Sequence, residues 1–332
     1  WLTLGQIISS SSALITSVAF ANLLSPDSFG VYKYIISVTS LLTISTLSGM
    51  DSAITRSVSM GFEGSVNDGM KMKAKWGIAG SLASLIIAIY YFLQNNNTLS
   101  ISFAIVSLFI PLIESFDIYN SLLLGKRKFD VQTKYNVIKK ILSLGAIIIT
   151  LILTKNLYII IAAYFLALVV PNAIFFHRIK KIYQSNNNKD PDALTYGKSL
   201  SLMQIMSLVA AELDKIMVFQ FIGATELAIY SFAVAPTEQI KGFTKNINSL
   251  AMPKFSGKDI NEIKKGIRNK IIILGIGTTI LVGAYIVMAP LFFGLLFPKY
   301  TGSVIYSQVL SISIIGAVLS SFLYTILESQ KA

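Results

Sequence analysis

The apolar residues of this chain come in runs of roughly twenty, the length an α-helix needs to cross the hydrocarbon core of a bilayer. Such runs lie near 4–24, 32–50, 76–93, 99–124, 137–154, 157–176, 198–222, 227–250, 271–289 and 303–327. Inside lipid every backbone N–H and C=O must find its partner within the protein, and only a helix does so within one short segment. The expected fold is therefore all-α, a polytopic transmembrane helix bundle with about ten spans and no soluble domain large enough for a separate activity. Charged residues make up 13% of the chain and hydrophobic ones 54%. That charged share is about half of what a soluble domain carries.

Several kinds of chemistry are excluded early. The chain has no cysteine, so disulfides, thiol catalysis and cysteine-ligated metals are out. Its single histidine, His177, cannot build a histidine metal site, and beside Arg178 it reads as an anchor among lipid headgroups. Gly275-Ile276-Gly277 lies inside a span and follows no strand, and no Walker motif occurs, so ATP bound to this chain does not drive it. No catalytic residue, metal or cofactor is expected.

A net charge of +12 would suggest nucleic acid in a soluble protein. The distribution says otherwise. Of the 28 Lys and Arg residues, 22 fall in one alternating set of connections (51–75, 125–140, 177–199, 252–270 and the C-terminal stub). The other set holds only Lys33, Lys155 and Lys299. By the positive-inside rule the first set, and with it the N-terminus, is cytoplasmic. Lys126-Arg127-Lys128 and Lys264-Lys265 then read as topological anchors, and no nucleic-acid partner is expected.

Two external turns resemble each other. Ser25-Pro26-Asp27-Ser28-Phe29-Gly30-Val31-Tyr32-Lys33-Tyr34 and Gly223-Ala224-Thr225-Glu226-Leu227-Ala228-Ile229-Tyr230-Ser231-Phe232 lie 198 residues apart. Each joins an odd span to the next even one, as in parallel transporter repeats of six spans. This divides the chain into an N-lobe, 1–185 with helices 1–6, and a C-lobe, 186–332 with helices 7–10. A six-helix repeat would continue beyond helix 10, so the second lobe is expected to be truncated in this sequence. Substrate sites of two-lobed transporters lie between the repeats near the membrane midplane.

Ionisable residues within spans are costly and mark function. Glu212 and Lys215 are three apart and suit a local ion pair, which leaves Asp214 seeking another partner. Glu114 and Asp117 share a face with no base on their own helix, so they need a cation from another helix or a proton. Asp51 and Arg56 close helix 2, and Glu238, Lys241 and Lys245 form a stripe on helix 8. Helices 1 and 2 each carry seven hydroxyl or amide residues, more than packing requires, which suggests a wetted lining.

Four stretches resemble the bacterial polysaccharide biosynthesis or export family: Leu24-Ser25-Pro26-Asp27-Ser28-Phe29-Gly30-Val31-Tyr32, Gly49-Met50-Asp51-Ser52-Ala53-Ile54-Thr55-Arg56, Leu213–Val218 through Tyr230-Ser231-Phe232-Ala233, and Pro290–Tyr300. That family comprises O-antigen and capsule flippases within the multidrug/oligosaccharidyl-lipid/polysaccharide exporter superfamily. The resemblance implies a bilobed transporter, not an enzyme, in the bacterial cytoplasmic (inner) membrane, acting as a monomer among membrane lipids. It would move an undecaprenyl-diphosphate-linked oligosaccharide from cytoplasmic to outer leaflet by alternating access, coupled to H⁺ or Na⁺. The residues matching its cationic lining are Arg56, Lys215 and Lys241. The acids available for ion coupling or for the cavity are Asp51, Glu114, Asp117 and Asp214. A drug or cation antiporter of the same superfamily is the main alternative. Asp51, Glu212, Asp214 and Glu238 against Arg56, Lys215, Lys241 and Lys245 give a neutral balance that does not separate the two. A membrane polymerase or acyltransferase fits less well, since the external loops are short and no histidine lies within a span.

Overall fold

The structure, a computed structural model, describes residues 2–255 and 260–329, with side chains over 5–239, at Asn269 and over 271–323. Twelve α-helices follow in order: α1 Leu2–Leu23, α2 Pro26–Leu42, α3 Met50–Ser59, α4 Ser65–Leu93, α5 Asn97–Ile113, α6 Tyr119–Gly125, α7 Phe129–Leu153, α8 Leu157–Tyr183, α9 Ala193–Phe221, α10 Ala224–Phe255, α11 Ile260–Leu296 and α12 Ser303–Ser329. No strand occurs among the described residues. Among the described residues, seven helical stretches are long and apolar enough to cross a membrane, with α5 and α6 (Asn97–Gly125) counted as one, or eight if α2 and α3 with the turn between them count as one bent span.

The helix starts follow from local chemistry. Ser25 caps α2 by accepting the Ser28 N–H at 3.2 Å, with Pro26 at the first helical position, where its missing N–H costs nothing. Asn96 caps α5 through Leu99 N–H at 3.1 Å, and Asn156 caps α8 through Tyr158 N–H at 3.0 Å. Several helices run past the expected spans at the Lys- and Arg-rich end. α4 starts at Ser65 rather than 76 and α7 at Phe129 rather than 137. Hydropathy marks only the apolar part of a helix, and the backbone ladder continues into the polar ends.

Two expected spans, 32–50 and 99–124, are broken rather than continuous. α2 tightens into a 3₁₀ turn at Thr43–Thr46, Leu47 adopts a left-handed conformation at φ 62°, and α3 leaves at 47° to α2. α5 carries Pro111 and breaks after Ile113, with a 3₁₀ turn at Phe116–Ile118 before α6. Proline cannot donate to the carbonyl four residues back. That carbonyl, Ser107 O, instead accepts from Ser81 Oγ of α4 at 2.6 Å. At the other break Thr43, Ser45 and Thr46 donate to Ser40 O, Leu42 O and Thr43 O at 2.6–2.8 Å. These hydroxyls of helix 2 therefore serve backbone carbonyls near the break, a different task from the lining suggested by their number.

By proximity the chain divides into two compact units, Trp1–Leu227 and Ala228–Ala332. In the first, α4 and α5 form a hairpin against the α2 break and α7 packs on α1 and α8. Its core gathers Met50, Ile54, Ile118, Leu122, Leu123, Phe176 and Ile179. α9 belongs to this unit because it lies along both α2 and α3. The small pair Gly197 and Ser201 makes the close approach: a Cβ on Gly197 would sit 2.6 Å from Met50 Sδ, and the Gly49 N–H donates to Ser201 Oγ at 3.0 Å. The two similar turns also meet, since a Cβ on Gly30 would stand 1.7 Å from the Ala224 carbonyl oxygen. In the second unit, Phe232, Phe293, Phe297 and Tyr300 cluster, and Ser303 Oγ donates to Ile229 O at 2.8 Å.

The linker from α8 to α9, residues 184–192, is clamped to the turn before α4. Buried Glu63 pairs with Lys126 Nζ at 2.8 Å and accepts the backbone N–H groups of Ser185 and Asn186. Gly64 N–H donates to Asn188 O at 2.8 Å, Ser57 Oγ donates to Asp190 at 2.6 Å, and Lys189 pairs with Asp68 at 2.9 Å. Burial opposes ionisation of Glu63. The Lys126 ammonium and the two amides outweigh that and hold its carboxyl below the usual range. The Ser57 hydroxyl leads in lowering Asp190, helped by nearby backbone amides and Arg56.

Two expectations follow. Gly30→Ala should destabilise the chain by about 1–3 kcal/mol, because the added methyl meets backbone rather than a yielding side chain. Gly145→Ala in α7, with open space around it, should cost nothing; thermal unfolding in detergent compares the two. A carboxylate whose folded pKa is depressed stabilises the clamp above its unfolded value and loses that as pH falls through the folded one. Protection of the Ser185 and Asn186 amides, taken as the exchange rate relative to the intrinsic rate at each pH, should therefore be high at neutral pH and fall below the ordinary carboxylate range. Glu63→Gln should exchange about tenfold faster at pH 7, equivalent to ~1.4 kcal/mol, and equal rates in both proteins would refute the clamp.

Candidate functional site

The buried stripe of α4 is made of Gly69, Lys73, Gly77, Gly80, Ser84, Ala88 and Tyr91, at helical spacing of three and four. Six of the seven are small or aromatic packing residues. The seventh is a lysine with none of its side chain exposed. A buried ammonium needs counter-charge and full hydrogen bonding. Lys73 Nζ donates to both oxygens of Asp51 at 2.8 Å and lies 3.7 Å from Glu114 Oε2. Asp51 opens α3 directly after one helix break, and Glu114 sits in the other. The two breaks thus face each other across Lys73. One turn on, Asp117 Oδ1 accepts from Lys139 Nζ of α7 at 2.6 Å and from Asn120 Nδ2 at 3.1 Å. Ser121 Oγ donates to Asp51 O at 3.0 Å, tying α6 to α3.

Three carboxylates and two ammoniums leave this cluster one negative charge in surplus. Lys73 is sealed, but the side chains of Asp51 and Glu114 remain 40% and 38% exposed, so both acids stay reachable. A cavity of about 650 Å³ opens beside the cluster, lined by Asp51, Asp117, Asn120 and Ser121 and, toward the basic loops, by Arg56 and Arg127. The Arg56 guanidinium lies 5.1 Å from the centre of the Tyr196 ring on α9. The cavity thus joins carboxylates and guanidinium groups in one lining.

The structure thus brings Asp51, Glu114 and Asp117 into one cluster, with Arg56 in the adjoining cavity. The cation that Glu114 and Asp117 require comes from other helices, Lys73 and Lys139. Both fall within the basic connections 51–75 and 125–140, and without them the basic set of connections still holds 20 Lys and Arg residues against three in the other set. Lys215 Nζ pairs with Glu212 at 3.2 Å, and Asp214 Oδ1 accepts the Lys215 N–H at 2.8 Å. Lys215 does not line the Arg56 cavity. The side chain of Lys241 lies outside the described residues. Among Lys71, Lys73 and Lys75, only the phase set by Gly69, Gly77 and Gly80 picks out the buried one; Lys71 and Lys75 are exposed.

α9 is fastened to α2 and α3 at both ends. Near the basic loops, Ser48 Oγ donates to Gln204 Oε1 at 2.9 Å beside the Gly49–Ser201 contact. At the opposite end, Gln220 Nε2 donates to the hydroxyls of Tyr34 at 2.6 Å and Tyr91 at 2.8 Å. There the Tyr34 ring stacks on Phe219 with centroids 3.9 Å apart.

The model of one protein family, described as "Polysaccharide biosynthesis protein", matches residues 1–257. No curated protein sequence matches the chain. The fold is similar to that of a multidrug resistance MATE family transporter of the MOP superfamily. In its inward-facing conformation the TM-score is 0.55 at 14% identity, over 97% of this chain and 78% of that one. In an outward-facing conformation the figures are 0.53, 13%, 99% and 82%. A MOP superfamily transporter from Pyrococcus furiosus, described as having a binding pocket of reverse polarity, gives 0.53, 12%, 99% and 82%. These likenesses concern the fold.

Lys73→Met leaves Asp51 and Glu114 without their cation and should lower stability by about 3–5 kcal/mol. Adding Asp51→Asn removes one of the stranded charges, so the double variant should be more stable than Lys73→Met alone. Chemical unfolding in micelles reads both, and losses that simply add would disprove the pairing.

Proposed function

The chain belongs to the polysaccharide biosynthesis protein family, and on that premise we propose that it is a flippase for a lipid-linked oligosaccharide. In this reading an undecaprenyl-diphosphate-linked oligosaccharide of bacterial surface polysaccharide, O-antigen or capsule, enters from the cytoplasmic leaflet of the inner membrane and leaves from the outer one. The observation that carries the reading is the cavity with Arg56 and Arg127 on its loop side. A diphosphate offers paired oxygens to guanidinium forks, and a site walled by helices strengthens such charge-assisted bonds. Arg127 joins Arg56 as a candidate, while Lys215 and Lys241 remain candidates on α9 and α10.

The halves that move are the N-lobe, 1–185, and the C-lobe, 186–332. Alternating access requires contacts between them to open at one face while holding at the other. The seam of α9 with α2 and α3 has the parts for this, with small-residue packing at one end and the Tyr34–Tyr91–Gln220 clasp at the other. Asp51, Glu114 and Asp117 supply the surplus negative charge that H⁺ or Na⁺ would neutralise, with Asp214 as a further acid on α9. The N-terminus lies in the cytoplasm and the protein acts as a monomer. The same surplus favours a second reading, a drug or cation antiporter, in which the carboxylates rather than the arginines hold the cargo.

Complementation of a flippase-deficient strain with the full-length protein separates the two. Restored surface polysaccharide, reduced at least tenfold by Arg56→Ala or Arg127→Ala at equal membrane abundance, is the expected outcome. Drug efflux without polysaccharide would favour the antiporter, and full activity of both arginine variants would overturn the assignment of the cavity.

A further inference from the structure

A second cavity, of about 420 Å³, lies at the basic-loop end of α8. Its walls are His177, Lys180 and Lys181 from the last turns of the helix and Gln184 to Asn187 from the linker to α9. No carboxylate lines it, and among the described residues neither Lys180 nor Lys181 has an acidic partner. The carboxylate bonded to this stretch of linker, Glu63, is already engaged with Lys126 and two backbone amides. Two lysines and a histidine, whose Nδ1 is bonded to Ala173 O at 2.8 Å, thus line the cavity together with amide side chains. The C-terminal carbonyls of α8 disfavour an anion there, and the paired lysines more than reverse that sign.

The surface leading to the cavity bears on what it could hold. Leu166, Val170 and Ile174 are 48%, 48% and 58% exposed, and they continue at steps of three and four into His177 and Lys181. They form one straight stripe on one face of α8, apolar along the helix and basic at its end. An exposed apolar stripe on a membrane-spanning helix faces acyl chains. A basic cavity at its end stands at the depth of lipid phosphates, on the face where the loops are richest in Lys and Arg. We propose that this cavity binds the headgroup of an anionic glycerophospholipid, with an acyl chain lying along Leu166, Val170 and Ile174. A free phosphate would use the same ammoniums but would gain nothing from the stripe.

The far wall of the cavity is preorganised. Gln184 Nε2 donates to Asn186 O and Asn187 Oδ1, both at 3.0 Å, and the Asn188 N–H donates to Asn186 Oδ1 at 3.0 Å. A bound headgroup therefore bridges α8 to the segment that enters α9, so the lipid steadies the linker as well as the helix end.

Purified full-length protein is titrated with phosphatidylglycerol or phosphatidylcholine in mixed micelles and, separately, with inorganic phosphate, following thermal unfolding and amide exchange at 184–188. Phosphatidylglycerol should raise the unfolding temperature and slow exchange, whereas phosphatidylcholine should do neither. The double variant Lys180→Gln/Lys181→Gln should need at least tenfold more phosphatidylglycerol for the same shift. Lys71→Gln/Lys75→Gln, which removes equal charge from the same end of α4, should respond as the parent does. Equal loss in both double variants would mean diffuse attraction to the membrane and would overturn the site. Unchanged response of Lys180→Gln/Lys181→Gln would overturn it too. So would inorganic phosphate that reproduces the full effect, since the cavity would then take a free anion rather than a lipid.

Discussion

A charged lysine with no exposed surface, Lys73, sets the terms for the first compact unit. Its ammonium is stable inside a helical bundle only because Asp51 meets it through both carboxylate oxygens and Glu114 lies close behind. Neither acid reaches it from an unbroken helix. Asp51 starts α3 after the left-handed turn at Leu47, and Glu114 lies in the interruption that follows Pro111. Breaking two spans at one depth is costly in lipid, where freed carbonyls have no water. The hydroxyls of Ser81, Thr43, Ser45 and Thr46 offset that cost by supplying donors nearby.

The same arrangement carries the functional interpretation. A sealed Lys73 with accessible Asp51 and Glu114 keeps counter-charge in place while leaving carboxylate surface open. Broken helices that present charge and unwound backbone to a cavity are how membrane transporters build sites for ions and anionic cargo. Arg56, on the short helix that Asp51 begins, carries its guanidinium into the adjoining cavity and onto Tyr196 of α9. A shift of α9 along α3 would thus be felt at Arg56 and, one and a half turns back, at Asp51.

Much of this arrangement is legible in particular residues. Glu114 and Asp117 have no base on their own helix, so the need for a cation from elsewhere was legible, and Lys73 and Lys139 supply it. Which lysine would do so was not, because Lys71, Lys73 and Lys75 look alike in a charged approach to a span. The small residues Gly69, Gly77 and Gly80 carried that information in their phase. The helix breaks were hidden because their polar residues have a second reading. Residues 43–49 are rich in Ser and Thr and 114–118 hold Glu114 and Asp117, but the same residues suit the polar face of a continuous span. Neither a left-handed leucine nor a proline whose missing bond is made good from another helix is marked by composition. Lys126 read as a charge for the membrane surface, yet its partner is buried Glu63, 63 residues earlier in the chain.

The sequence alone determined the class, the positions of the ten apolar runs, the face that gathers the basic loops and the resemblance to polysaccharide exporters. These are properties of local composition and of motifs within one segment, and the bilayer acts on each segment separately. Tertiary structure decided which ionisable residues are sealed, which acids share a cation, where spans break and how α9 is fastened at both ends. Those outcomes depend on helical phase and on the register of one helix against another. Both are fixed only when glycines and hydroxyls from distant parts of the chain come into contact.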